Sequence, residues 1–355
     1  MTQRVAIICG GRSSEHEISC ISAGGVLAAI DRTAYEPILI GITKEGSWVL
    51  IPEDHTMAIV NGVLPTVPQN APAVIADVAG FSSGGKDLKI EIVFPLLHGP
   101  YGEDGTIQGL LEMADLPYVG SGVLASAVAM DKSFAKPIFA SHDIATVPGI
   151  VVKEGAWKSS AAAITKEIAG LGYPVFVKPA RGGSSRGTTK VKSADQLPAA
   201  IAEAHRFDSK AMVEKAIVCS EIECAVLEIN GAPQASVAGM IHIDSRFEFY
   251  DFEAKYLDGA TSIELPAPID SAIAEKIRNS AIKAFLALGC SGLARVDFFL
   301  SEKGEVIINE LNTMPGFTAT SVFPKMWAAT GIRYSEVITH LLEGAQKRTN
   351  GVLGN

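Results

Sequence analysis

Cysteine is sparse. The five residues Cys9, Cys20, Cys219, Cys224 and Cys290 are scattered without a Cys-x-x-Cys spacing, and their odd number argues against a disulfide framework. Each reads as a small buried hydrophobe. Basic residues are outnumbered, 30 Lys and Arg against 39 Asp and Glu, and the formal net charge of −9 argues against a nucleic acid as the main partner. A nucleotide bound locally is still allowed. No uninterrupted apolar run approaches the roughly 20 residues of a membrane span. No basic segment followed by an apolar core and a small-residue cleavage site opens the chain, so a cytoplasmic location without a membrane partner is expected. Internal repeats and low-complexity tracts are not evident. What is present is a chain of 355 residues, 48% hydrophobic and 19% charged. That is long enough for two or three domains and patterned as the alternating strands and helices of a soluble α/β protein.

The most informative stretch is residues 293–318, where two apolar runs each carry polar side chains on one face. Residues 293–300 and 306–311 read as strands, with Lys303-Gly304 as a two-residue turn in which Gly supplies the positive φ. That turn sets Arg295 opposite Asn312 and Asp297 opposite Glu310. Because side chains alternate along a strand, all four share a face, with opposed Cβ atoms roughly 4.5–5.5 Å apart. A three-residue turn would shift the register. Two carboxylates and an amide oxygen are hard ligands, suited to a Mg²⁺ ion that keeps waters and binds nucleotide phosphates. The competing reading is a solvated hairpin face.

Residues 4–9 form a short apolar strand that runs into Gly10-Gly11-Arg12-Ser13-Ser14, followed by a helical pattern over 15–30. Such a unit places a helix N-terminus beside an anion at the strand's carboxyl edge, although a plain strand-to-helix turn explains the glycines as well. Strands fit 37–42 and 91–97, the latter running into a loop with three glycines that begins at His98. Helices fit 106–113 and 125–140, with a short strand and turn over 116–122. Residues 1–130 are therefore expected to form an open, doubly wound parallel-sheet domain, with 54–86 as an excursion from it. In a second unit, 131–230, a strand over 175–178 enters the loop 179–187, which holds three glycines and two serines. The loop is dense in backbone donors for phosphate oxygens but lacks Walker spacing. Residues 212–215 are a further strand. The third unit, 231–355, holds the hairpin and ends in an amphipathic helix over 335–347.

Taken in order, residues 10–19, 97–109, 120–126, 130–132, 177–187, 249–256 and 309–318 closely resemble the D-alanine–D-alanine ligase family of ATP-grasp enzymes, over nearly the whole chain. The resemblance implies a three-domain α/β architecture with ATP between the second and third units. Lys132 and Lys178 would meet its phosphates, Glu214 and Lys215 the adenine edge, and Glu221 the ribose. Asp297, Glu310 and Asn312 match the family's ligands for Mg²⁺ or Mn²⁺, with two ions expected. Glu15 matches the carboxylate that holds the first D-alanine's ammonium, and His98 lies in the matching substrate loop. Ser184 and Ser185 match serines near substrate and lid, the latter also near the nucleotide. Lys255 would reach the γ-phosphate from a mobile loop, and Tyr256 would help close the site. Ser321 and Val322 match the place of the second D-alanine's carboxylate. Arg295 and the Gly316 N–H are candidate oxyanion donors. A homodimer is the family expectation.

Departures from the family pattern are Ala180-Arg181-Gly182, where a serine and a glutamate often flank the arginine, Phe317 in place of a frequent methionine, and Ile222-Glu223-Cys224 after Glu221. The expected activity is ATP-dependent formation of D-alanyl-D-alanine for peptidoglycan, through an acyl phosphate. A ligase adding D-serine is the nearest alternative, since an apolar pocket rejects a hydroxyl weakly. Tyr256 argues against the D-lactate type, in which that tyrosine is typically replaced. A non-catalytic ATP-binding sensor would have lost Arg295 or the metal ligands.

Overall fold

The computed structural model describes residues 2–52, 54–243 and 261–348. Its first sheet is built on β1 (Gln3–Gly10), β2 (Tyr35–Ile42) and β3 (Trp48–Leu50). The excursion carries a small antiparallel sheet of β4 (Val74–Asp77), β5 (Gly80–Ser83) and β6 (Lys86–Asp87). The strand β7 (Ile92–Pro95) then returns to the first sheet, whose order is β3-β2-β1-β7 with β1 parallel to both neighbours. Residues 5–10 of β1 are all buried, which is why the strand reads as a continuous apolar run and not as an alternation. Gly10 has φ +87°, and a Cβ there would lie 2.3 Å from the Ile42 carbonyl oxygen, so no other residue fits the turn into α1 (His16–Ala29).

After α2 (Thr106–Met113), the single helix expected over 125–140 is two, α3 (Val123–Met130) and α4 (Lys132–Ser141). Asp131 separates them. Its extended backbone, φ −99° and ψ 97°, ends one helix, and its side chain accepts from the Ser133 N–H to start the next. The residue thereby points Lys132 inward from the first turn of α4.

A second, antiparallel sheet has the order β10-β9-β11-β8, from β8 (Gly149–Lys153), β9 (Val175–Pro179), β10 (Thr189–Val191) and β11 (Lys210–Lys215). Its helices α5 (Glu154–Ala169) and α6 (Leu197–His205) cover a core of Ile168, Val175, Val177, Leu197 and Ile201.

The largest sheet contains β12 (Cys219–Ile229), β13 (Ala232–Ile243), β14 (Thr261–Glu264), β15 (Leu293–Ser301) and β16 (Val306–Asn312), in the order β14-β13-β12-β15-β16. Cys224, Val226, Ala294, Val296 and Phe298 pack on one face, with Phe139 of α4 and with Ile277 and Phe285 of α7 (Ser271–Ala287). Ala225, Leu227 and Leu293 point the other way, into a core shared with Val5 and Ile7 of β1, with α8 (Val322–Thr330) and with α9 (Tyr334–Lys347). This strict alternation reserves the second face, further along the strands, for polar groups.

The hairpin differs from the expected one at its tip. Ser301 N–H donates to the Glu305 carbonyl at 3.0 Å, so the turn is Glu302, Lys303 and Gly304, not Lys303-Gly304 alone. Beside it, Leu300 faces Val306 and Phe298 faces Ile308, one position off the expected register. A β-bulge then inserts Asn309 and restores it, so that Asp297 faces Glu310 and Arg295 faces Asn312. Without the bulge Ile308 and Glu310 would share a face. With it, Ile308 enters the core and Glu310 stands in the site.

Candidate active site

The polar face of the hairpin is tied together by short contacts. Arg295 Nε and Nη2 each lie 2.7 Å from an oxygen of Asp297, and Asn312 Nδ2 donates to Asp297 Oδ2 at 3.1 Å. Arg295 also lies 3.1 Å from Glu223, which pairs with Asp297 across β12 and β15. Glu223 entered the sequence reading only as a departure. Its position two residues after Glu221, on the same face of one strand, was the available signal. Lys132 Nζ sits 2.8 Å from Glu310 Oε2 and donates to the Gly182 carbonyl at 3.0 Å, joining the hairpin to the glycine-rich loop. Burial alone would lower the Lys132 ammonium, but Glu310 reverses this and its pKa is raised.

These donors fit a divalent ion. Asp297 and Glu310 are hard oxygen groups lining a cavity, and Lys132 and Arg295 balance their charge. Among the described residues no cluster of three or more His, Cys, Asp or Glu forms a metal site, so an ion held by two carboxylates and the Asn312 amide would need further oxygens from substrate or water.

The cavity, of about 560 Å³, lies between the second sheet with its loop and strands β12, β13, β15 and β16. Lys178, Lys215, Ser184, Ser185, Glu214 and Glu221 all line it, as do Phe176, Ile217 and Met240, which were not anticipated from sequence. Lys178 Nζ lies 2.6 Å from Glu214 and donates to the bulged Asn309 Oδ1 at 3.4 Å. Glu214 pairs as well with Lys136, one helical turn beyond Lys132 on α4. Burial pushes the Glu214 carboxyl up, yet Lys178 and Lys136 outweigh it and hold it down at about 2. Lys136 was missed in the sequence, although its i,i+4 spacing from Lys132 marks it as sharing that face. Lys215 is at the exposed end of β11. The base of the loop is braced by Arg181, whose guanidinium binds Asp208 at 2.7 and 3.1 Å.

At the other end of the loop Ser184, in the left-handed region at φ +51°, donates to Glu15 Oε1 at 2.7 Å. Glu15 stands at the N-cap position of α1 but makes no side-chain cap bond, reaching across to the loop instead. His98 is buried. Its Nδ1 lies 3.0 Å from the Met314 carbonyl and its Nε2 3.2 Å from Ser22, and loss of water lowers its pKa. Ser321 precedes α8, which begins at Val322. Its hydroxyl accepts from Thr318 N–H at 3.1 Å, and it lies beside Gly316, where a Cβ would come within 3.3 Å of it. The structure thus gathers Lys132, Lys178, Glu214, Glu221, Ser184, Ser185, Asp297 and Glu310 about one cavity. Arg295 and Asn312 adjoin it, Glu15 is reached through Ser184, and Ser321 with Gly316 forms a neighbouring loop. Lys255 and Tyr256 lie outside the described residues.

Lysines, a glycine-rich loop and a hard-oxygen face around a cleft between two antiparallel sheets define an ATP-grasp enzyme. The family models described as D-ala D-ala ligase N-terminus and C-terminus match residues 4–121 and 138–343. A D-alanine–D-alanine ligase of Paenarthrobacter aurescens is 48% identical, covering 98% of this chain and 96% of the relative. One from Mycobacterium tuberculosis is 47% identical, covering 98% and 97%. Among solved structures, the VanG D-Ala:D-Ser ligase from Enterococcus faecalis superposes with a TM-score of 0.85 at 34% identity, covering 97% of this chain and 100% of that one. The D-alanine-D-alanine ligase from Coxiella burnetii gives 0.83 at 33%, covering 98% and 96%. The chain belongs to the D-alanine–D-alanine ligase family. Among the described residues no helix is long and apolar enough to cross a membrane.

Proposed function

We propose that this protein joins two D-alanines into D-alanyl-D-alanine with cleavage of ATP to ADP and phosphate, supplying a peptidoglycan precursor in the cytoplasm. The observation that carries the reading is the single polar face of Arg295, Asp297, Glu310 and Asn312 with Lys132 set against it. A carboxylate is a poor electrophile, so the γ-phosphoryl group first passes to the carboxylate oxygen of one D-alanine, giving an acyl phosphate and ADP. Such a transfer needs positioning and charge stabilisation more than a nucleophilic side chain. Lys132 and Lys178 hold phosphate oxygens, with Lys255 as a third cation. Lys215, Glu214 and the apolar wall of Phe176, Ile217 and Met240 receive the base, and Glu221 the ribose. Held by Asp297, Glu310 and Asn312, Mg²⁺ or Mn²⁺, as two ions, would neutralise phosphate charge.

Glu15, with Ser184 beside it, takes the first D-alanine's ammonium, and His98 and Ser185 shape that end of the site. The second D-alanine places its carboxylate at Ser321 and Val322. Its amine, once deprotonated, attacks the acyl carbon, and Arg295 and the Gly316 N–H stabilise the oxyanion before phosphate leaves. Tyr256 closes the site against water, because acyl phosphates hydrolyse. Residues 1–130, 131–230 and 231–355 serve as substrate, nucleotide-loop and metal units, and the enzyme acts as a homodimer.

The test is incubation of purified protein with ATP, Mg²⁺ and D-alanine, with D-serine or D-lactate in competition, products being identified by mass spectrometry alongside ADP release. D-alanyl-D-alanine as main product is expected. A mixed product would move the assignment to D-serine or D-lactate, and absence of ADP would overturn it.

A further inference from the structure

One carboxylate of the site has no role in the mechanism above. Glu103 lies in the substrate loop, and each of its oxygens accepts a backbone N–H: Oε1 from Gly99 at 2.8 Å and Oε2 from Met314 at 3.3 Å. The two amides belong to segments 211 positions apart from Glu103 in one case and 4 in the other. The two peptide groups that flank the Met314 Cα are therefore both held from the same loop, the 313–314 peptide through the Met314 N–H by Glu103 and the 314–315 peptide through the Met314 carbonyl by His98 at 3.0 Å. Three residues on, Phe317 is fixed as well. Its N–H donates to Ser22 Oγ at 3.4 Å, and its carbonyl accepts from Tyr334 at 2.7 Å. Gly316 stands between these two anchored residues, with freedom only to the extent that the anchors yield.

We infer that Glu103 is a positioning residue for ligation: by holding the Met314 amide it fixes the 314–317 segment so that the Gly316 N–H points at the developing oxyanion. The inference rests on the reading of Gly316 as an oxyanion donor. An oxyanion donor acts through preorganised direction, so a small rotation of its peptide costs rate without costing substrate affinity. A glutamate can do this because both of its oxygens keep acceptor capacity, whether the carboxyl is ionised or holds one proton. A glutamine cannot, since its amide nitrogen would confront one of the two N–H groups.

The discriminating measurement separates the two chemical steps in the full-length enzyme. Positional exchange of a β,γ-bridging ¹⁸O label in ATP reports formation of the acyl phosphate, and dipeptide formation reports ligation. In Glu103→Gln, kcat for dipeptide is expected to fall about ten- to a hundredfold, less than the roughly 10²–10³ lost when an oxyanion donor is removed outright, because the Gly316 N–H is misdirected and not deleted. Exchange and the KM values for ATP and D-alanine should stay within a few-fold of the unsubstituted enzyme. Tyr334→Phe, which releases the Phe317 carbonyl on the other side of Gly316 without touching His98, should give the same split and covers the case in which the first variant folds poorly. Equal loss of exchange and ligation, or loss of neither, would overturn the assignment of Glu103 alone. An unsubstituted enzyme that makes dipeptide without exchange would overturn the acyl-phosphate reading, and this inference with it.

Discussion

Ser184 Oγ donates to Glu15 Oε1 at 2.7 Å across 169 positions of sequence, and this one bond joins the glycine-rich loop of the second sheet to the start of the first helix of the chain. The serine reaches it from a left-handed backbone conformation, φ +51°. In the proposed function, the glycine-rich loop and the first D-alanine's ammonium therefore share a carboxylate.

Glu15→Gln should raise the KM for D-alanine roughly 10- to 100-fold, the size of a lost charge-assisted hydrogen bond of about 1.5–3 kcal/mol, and leave the KM for ATP unchanged. In a double-mutant cycle with Ser184→Ala the two effects should be less than additive, because both residues act through one bond. Initial-rate kinetics at saturating ATP would measure this, and full additivity would sink the shared role.

Glu310→Gln leaves Lys132 with an amide in place of its carboxylate and takes one hard anionic ligand from the hairpin face. Ligation should fall at least about 100-fold, in keeping with the several kcal/mol that a metal supplies at a phosphoryl group. Titrating ADP release with Mg²⁺ should show a weakened dependence. Normal turnover at low Mg²⁺ would remove Glu310 from the metal site.

Lys136→Met isolates Glu214 with Lys178 as its one remaining cation from the pair that brackets it. Breaking a buried ion pair from one side typically costs about 3–5 kcal/mol, so the melting temperature should fall. The KM for ATP should rise while that for D-alanine holds, since Glu214 lines the cavity proposed for the nucleotide and Glu15 does not. Calorimetry with paired kinetics would decide it.

Two carboxyls pull the pH dependence of stability in opposite directions. Glu214 is held at about 2, below its ordinary 4.5, so its contribution is present above 4.5 and lost as pH falls towards 2. Glu103 is raised to about 8 by desolvation and then by the charge of Glu15, with Arg295 opposing, so its contribution is full below 4.5 and lost as pH rises towards 8. Lys132 is a further charged group whose field reaches it. Melting curves from pH 5 to 8 should slope downward with rising pH, and Glu103→Gln should flatten that slope. An unchanged slope would show that Glu103 is ionised throughout.

The hairpin shows how far local pattern carries. Alternation of apolar and polar residues announced that Arg295, Asp297, Glu310 and Asn312 share a face, and they do. The reasoning that linked them through a two-residue turn was incorrect in detail, because a three-residue turn and the bulge at Asn309 cancel. Sequence periodicity reports which face each residue prefers to bury. It is blind to compensating single-residue shifts, since these leave the same side chains in the same places. The break at Asp131 escaped for a related reason: apolar spacing continues through it, and only the cap shows that the helix restarts.

What the sequence determined by itself was therefore the elements, the family resemblance and the inventory of chemistry: lysines, carboxylates and a glycine-rich loop. Each is encoded in residues close together along the chain, through propensity, turn chemistry and alternation. Tertiary structure alone decided the partnerships, Glu214 with Lys136, Arg295 with Glu223, Ser184 with Glu15, and Met314 with both His98 and Glu103. Nothing local marks those pairs, because their geometry arises only when the burial of apolar faces has brought separate sheets together and left these polar groups to satisfy one another.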